Sequence, residues 1–147
     1  MTPRQKDLVK SSFAAVEPIA DVAASIFYDR LFALDPEVRR LFAATDMAAQ
    51  RKNLMQTLTV VVRGIDRLEN LVPAVEALGR RHTTYGVNPE HFETVGVALI
   101  DTLRIGLGEL FDNETQEAWT AAYTILATVM IGAGKAASEA AAAEAAA

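Results

Sequence analysis

The chain has 147 residues, a net charge of −5, 51% hydrophobic and 22% charged residues, and no cysteine. That suits one domain with a sizeable core and excludes disulfides, thiolate nucleophiles, iron–sulfur clusters and any group attached through cysteine. The acidic balance, with no basic stripe among aromatics, excludes nucleic acid as a main partner, and the polar start Met1-Thr-Pro-Arg-Gln-Lys-Asp7 lacks a signal-peptide core.

The punctuation is helical from the first residues. Thr2-Pro3 predicts a cap followed by proline in the first turn, and Leu8, Val9, Ser12, Phe13 and Val16 form a helical stripe. Pro18 interrupts it and opens a second helix with Val22, Ile26, Phe27, Leu31 and Leu34 at helical spacing. Asp35-Pro36 repeats the cap-plus-proline signal and starts a short segment ending near Phe42. Asp46 is expected to cap a helix whose apolar face carries Met47, Leu54, Leu58, Val61, Val62 and Ile65. Asn70 and Pro73 are expected to open the next, which runs through Val75, Leu78 and His82 to a stop at Gly86. Asn88-Pro89 begins another, through Phe92, Val95, Leu99 and Leu103. Asn113 and Gln116 suggest a capping box for the last helix, with Trp119, Tyr123, Leu126, Val129 and Met130 as its buried candidates.

The sum is an all-α chain of six long or medium helices and one short one, with no convincing strand. Val60-Val-Val62 is β-branched but continues a helical face. Residues 1–135 are expected to form one domain. The alanine-rich tail, 136–147, favours helix but offers little area to dock, so a frayed or disordered extension is expected. The longest uncharged stretch, Ala118 to Gly134, contains three threonines and a tyrosine. It falls short of the ~20 apolar residues of a membrane span, so a cytoplasmic location is expected.

A few side chains carry chemistry. His82, in Leu78-Gly-Arg-Arg-His-Thr-Thr-Tyr-Gly86, is one of two histidines. It lies one helical turn after Leu78, whose carbonyl can accept one ring N–H and leave the other nitrogen to bind a metal. Gln50, Leu54 and Leu58 are four apart and share a stripe. Tyr28 lies in an apolar helix, where a buried hydroxyl needs a partner. Each also has a plain reading from spacing alone: His82 as a surface or core histidine, Leu54 and Leu58 as core, Gln50 as the polar edge of a helix, Tyr28 bonded to a carbonyl, and Phe27, Phe32 and Phe42 as core. Arg80 and Arg81 either pair with carboxylates or form a solvated face. His91, in the first turn of its helix, reads as a surface residue.

Taken together, the matched stretches are Phe27-Tyr-Asp-Arg-Leu-Phe32, Pro36-Glu-Val-Arg-Arg-Leu-Phe42, Gln50 through Leu54, Leu68-Glu-Asn-Leu-Val-Pro73, Arg80-Arg-His-Thr-Thr-Tyr-Gly-Val87 and Ala118-Trp-Thr-Ala-Ala-Tyr123. In this order and at these distances the chain resembles the globins over about residues 3 to 135, most closely the bacterial single-domain haemoglobins and the haem domain of flavohaemoglobins. The resemblance implies a three-on-three helical sandwich around one non-covalent b-type haem. It implies His82 as proximal iron ligand, Tyr28, Gln50 and Leu54 on the distal side, and Phe42 packed on the ring. Leu58, Leu78, Arg81, Val87, Phe92 and Val95 would be further haem contacts, Arg81 through a propionate. The implied ligands are dioxygen, nitric oxide and carbon monoxide, bound reversibly by a monomer or weak homodimer. Nitric-oxide dioxygenation would need an external reductase, because no glycine-rich dinucleotide fingerprint is present. A gas sensor and a haem-free signalling module are the rival readings.

One departure bears on chemistry. In flavohaemoglobins the proximal histidine belongs to a hydrogen-bonded cluster with a tyrosine and a glutamate, positions that match Phe92 and Gly134 here. Without a proton-bearing partner the imidazole should push less electron density onto iron, giving carrier-like rather than peroxidase-like behaviour. Glu139 is the carboxylate that would undo this if the last helix bent towards the histidine.

Overall fold

The computed structural model describes residues 1–146. Six α-helices follow one another: α1 Pro3–Val16, α2 Ala20–Leu34, α3 Met47–Arg63, α4 Leu68–Thr84, α5 Pro89–Leu107 and α6 Asn113–Ala146. Short 3-10 segments at Glu17–Ile19, Pro36–Phe42, Ile65–Arg67 and Gly108–Leu110 make the corners. There is no strand among the described residues.

The predicted starts hold where a polar cap meets proline. The Thr2 hydroxyl accepts from the Gln5 N–H while the Gln5 side chain accepts from the Thr2 N–H, a full capping box. Asp35 caps the Pro36–Phe42 segment, and Asp46 accepts from the N–H groups of Ala48 and Ala49 at the head of α3. Asn88 opens α5, its N–H bonded to Nδ1 of His91. His91 is therefore half of a capping box rather than a free surface residue. Gly86 ends α4 with φ +90°, a conformation that suits glycine.

Three expectations are corrected. The helix α4 starts at Leu68, so Pro73 lies inside it. Pro73 and Glu69, the residue whose carbonyl loses an N–H partner, are both exposed, so water can serve that carbonyl. At the head of α6 the cap is Asp112, which accepts from the Thr115 N–H at 2.8 Å, while Gln116 is taken by Arg104 at 3.0 Å. In α2 the buried face is Ala23, Ala24, Phe27, Tyr28 and Leu31, with Val22 and Leu34 outside.

The layers are α1, α3 and α4 over α2, α5 and α6, with α2 on α5 and α4 on α6 as extensive contacts. Phe13, Phe27, Leu31, Ile65, Leu103 and Trp119 form the core between them. The Trp119 indole N–H donates to the Ser12 hydroxyl at 2.8 Å, which satisfies the one polar atom of that ring and ties α6 to α1. Asp101 of α5 holds Arg30 of α2 at 2.9 Å. By length and composition alone α6 is apolar enough over Asn113–Ala141 to cross a membrane, contrary to the reading from its uncharged stretch. Its alanines raise the hydropathy, while Ala118, Trp119 and Ala122 are spent on the core. The alanine-rich tail continues α6 to Ala146, and residue 147 lies outside the described residues.

Candidate functional site

The buried core stops short of a band of half-exposed apolar residues. Leu41, Phe42, Leu54 and Leu58 lie on the 3-10 segment and α3, and Leu78, Val87, Phe92 and Val95 on α4 and α5. None is fully buried and none fully exposed. Gly86, at the corner between α4 and α5, sits against Leu41. A band of this kind is what a slot for a flat apolar ligand would show.

On the α2–α3 side, Tyr28 is 5% exposed and nested among aromatic rings. Phe27 and Phe42 meet it edge-on at 5.0 and 5.6 Å between centroids, and Phe32 lies at 6.1 Å. Twenty-two residues later in sequence, Gln50 donates its amide N–H to the Tyr28 hydroxyl at 3.0 Å. The hydroxyl accepts that bond, so its own proton remains available to a third partner. Burial raises the Tyr28 pKa above the ordinary tyrosine value, and the Gln50 bond opposes this. The phenol is thus held as a donor. Leu54 and Leu58 line an apolar cavity of about 20 Å³ with Phe27, Leu99 and Trp119.

On the α4–α5 side, His82 is half-buried and its Nδ1 lies 2.7 Å from the Leu78 carbonyl oxygen. That bond fixes the Nδ1–H tautomer, leaving the Nε2 lone pair with no partner among the described residues. The Phe92 and Tyr85 rings each lie 6.4 Å from the imidazole. The Val87 N–H donates to the His82 carbonyl at 3.0 Å, so the α4 terminus folds back on the histidine. Arg81 is exposed beside it. Position 134 faces α4 one residue past His82, since a Cβ there would strike the Thr83 hydroxyl. Glu139 is exposed further along the same helix. Neither Phe92, Gly134 nor Glu139 gives the imidazole a proton-bearing partner.

The structure therefore assembles Tyr28, Gln50 and Phe42 into one cluster and His82, Leu78 and Phe92 into another. It also shows a contact that sequence reading missed. The Tyr123 hydroxyl donates to the Phe92 carbonyl at 2.5 Å, and its ring fills the space left by the missing side chain of Gly96. Burial raises the Tyr123 pKa strongly. Tyr123 had been legible as a buried residue; the glycine 27 positions earlier was the remaining signal.

One histidine whose Nε2 has no partner among the described residues, with the Phe92 ring 6.4 Å away, is a donor set for a metal that brings its own equatorial ligands. No group of three or more His, Cys, Asp or Glu side chains that could hold a bare ion occurs among the described residues. The helical sandwich is that of the globin class. The globin family model matches residues 25–130, and the chain belongs to that family. It is 33% identical over 133 residues to a flavohaemoprotein of Vibrio cholerae, covering 89% of this chain and 34% of the relative. It is 30% identical to a flavohaemoprotein of Bacillus subtilis, covering 86% and 32%. The chain thus spans about a third of the length of these relatives. Among solved structures, a bacterial globin from Campylobacter jejuni superposes with a TM-score of 0.83 at 26% identity, covering 94% of this chain and 99% of that one. A candidate nitric oxide dioxygenase from Rhodothermus marinus, engineered as a carbene transferase, also gives 0.83, at 25% identity and 99% of each chain.

Proposed function

We propose that the protein binds one b-type haem through His82 Nε2 and uses it to bind dioxygen and other diatomic gases reversibly. The observation that carries this is the His82 geometry: Nδ1 committed to the Leu78 carbonyl at 2.7 Å and Nε2 without a partner among the described residues. A haem held there would supply a coordination position for a diatomic gas. With nitric oxide and dioxygen it could also give nitrate, at the cost of one electron per turnover that an external donor must return.

The chain's own side chains set what that position favours. Tyr28 offers a buried O–H whose lone pair is already occupied by Gln50, so its proton is aimed away from the amide. A ligand whose outer atom gathers negative charge is stabilised by that donor, more strongly where water is kept out. Phe27 and Phe42 pack edge-on against the buried Tyr28 ring and shield it. On the other side Leu78 and Phe92 hold the imidazole without sharing its charge. Arg81, exposed on α4 next to His82, would pair with a carboxylate of the bound haem. The arrangement favours holding a polarised diatomic ligand over breaking it.

Reconstitution tests this. Purified protein mixed with hemin should show a Soret band that saturates at one haem per chain and shifts with carbon monoxide after reduction. A protein that stays colourless would instead favour the haem-free module.

A further inference from the structure

The helix that carries His82 rests on α6 backbone to backbone. A Cβ built on Gly79 would fall on the Met130 carbonyl oxygen, 2.6 Å from the Met130 Cα and 2.8 Å from its carbonyl carbon. All three obstacles are main-chain atoms of a helix, and none can swing aside. Gly134, one turn along α6, faces back: its Cβ would strike the Thr83 hydroxyl and lie 3.3 Å from the Gly79 carbonyl oxygen. Thr83 in turn donates to that same carbonyl at 3.2 Å. Two glycines thus mark the closest approach of α4 and α6. Glycine within a helix is less stable than alanine, so a buried one at a helix crossing points to a packing need.

We propose that Gly79 is a positioning residue for His82. This rests on the reading of His82 as a haem ligand and adds what sets its height. Gly79 lies less than one helical turn before His82 and next to Leu78, whose carbonyl holds the imidazole. A hydrogen-bonded turn is stiff, so a displacement of α4 at Gly79 is carried into the ring. The opposing wall does not follow, because Tyr123 of α6 pins the Phe92 carbonyl at the start of α5. Lifting α4 from α6 therefore moves the imidazole against Phe92 and against anything seated between them.

The test is the iron–histidine stretching frequency of the ferrous, ligand-free protein by resonance Raman. Gly79→Ala should lower and broaden that band and speed haem loss. Gly132→Ala is the control, since a Cβ there meets nothing within 4 Å; it should leave both unchanged. In a His82→Gly background supplied with haem and free imidazole, the ligand is no longer tethered to α4, and adding Gly79→Ala should leave the iron–imidazole band where it was. If Gly79→Ala does not fold, Gly134→Ala carries the test. It should give a smaller shift of the same sign, reversed in Gly134→Ala/Thr83→Ala, where the hydroxyl obstacle is gone. An unchanged band in Gly79→Ala, a shift that persists with free imidazole, or a Gly134→Ala shift that the second substitution does not reverse would overturn the inference. A wild-type protein that takes up no haem would instead sink the proposed function, before any glycine variant is examined.

Discussion

The two faces of the slot are built on opposite plans. On the α2–α3 face, two polar side chains far apart in sequence are joined at 3.0 Å inside a nest of three phenylalanines. On the α4–α5 face, the His82 imidazole bonds to a neutral carbonyl on its own helix, with the Phe92 ring 6.4 Å away and Gly134 facing the neighbouring Thr83. The first face can respond to charge on a ligand. The second can only hold its donor in place. An arrangement of this kind stabilises what binds and does little to push electrons into it.

The largest effect should come from removing the donor. His82→Ala should lose tight haem binding, measured by hemin titration and by transfer to an excess of an acceptor globin. Normal haem content and an unchanged ferrous spectrum in that variant would remove His82 from the account. Next comes Tyr28→Phe, which keeps the ring and deletes the hydroxyl. A charge-assisted hydrogen bond is worth roughly 1.5–3 kcal/mol, or about ten- to hundredfold in an equilibrium constant. The loss should appear as faster dioxygen release and faster autoxidation, with little change for carbon monoxide, whose outer atom carries less charge. Stopped-flow release rates check it, and an unchanged rate would return Tyr28 to the core. Because burial raises the Tyr28 pKa, the donor keeps its proton as pH rises, and wild-type release should stay flat up to the ordinary tyrosine value of about 10. Gln50→Leu should shift release in the same direction but by less, since it frees the hydroxyl to turn without removing it. The smallest effect belongs to His91→Ala, which should keep its haem and lose roughly 1 kcal/mol or less of stability with the capping box, read from thermal melts.

Much of this was legible in the sequence, for reasons that differ by element. The cap-plus-proline pairs at Thr2, Asp35 and Asn88 act locally, so their helix starts could be placed without tertiary information. The α2 face could not be placed so well. Hydrophobic periodicity weights Val22 and Leu34, whereas the structure buries the small Ala23 and Ala24 beside Phe27 and Leu31. Asp112 rather than Asn113 caps α6, through a local bond from the Thr115 N–H, while Gln116 bonds Arg104 of α5. At the site, the bond from His82 to Leu78 follows from helical spacing alone. That Gln50 would meet Tyr28, rather than only face the same slot, depends on how α2 and α3 pack. Gly79 left no trace because its role is the absence of a side chain.

The contrast between the two faces comes down to the electronic character of the proximal imidazole, and one spectrum reports it. In the ferrous, five-coordinate protein the iron–histidine stretch should fall in the carrier-like range, below that of flavohaemoglobins, with weak peroxidase activity to match. A frequency in the peroxidase range would mean that an acceptor reaches the His82 ring after all, and the neutral proximal face described here would be wrong.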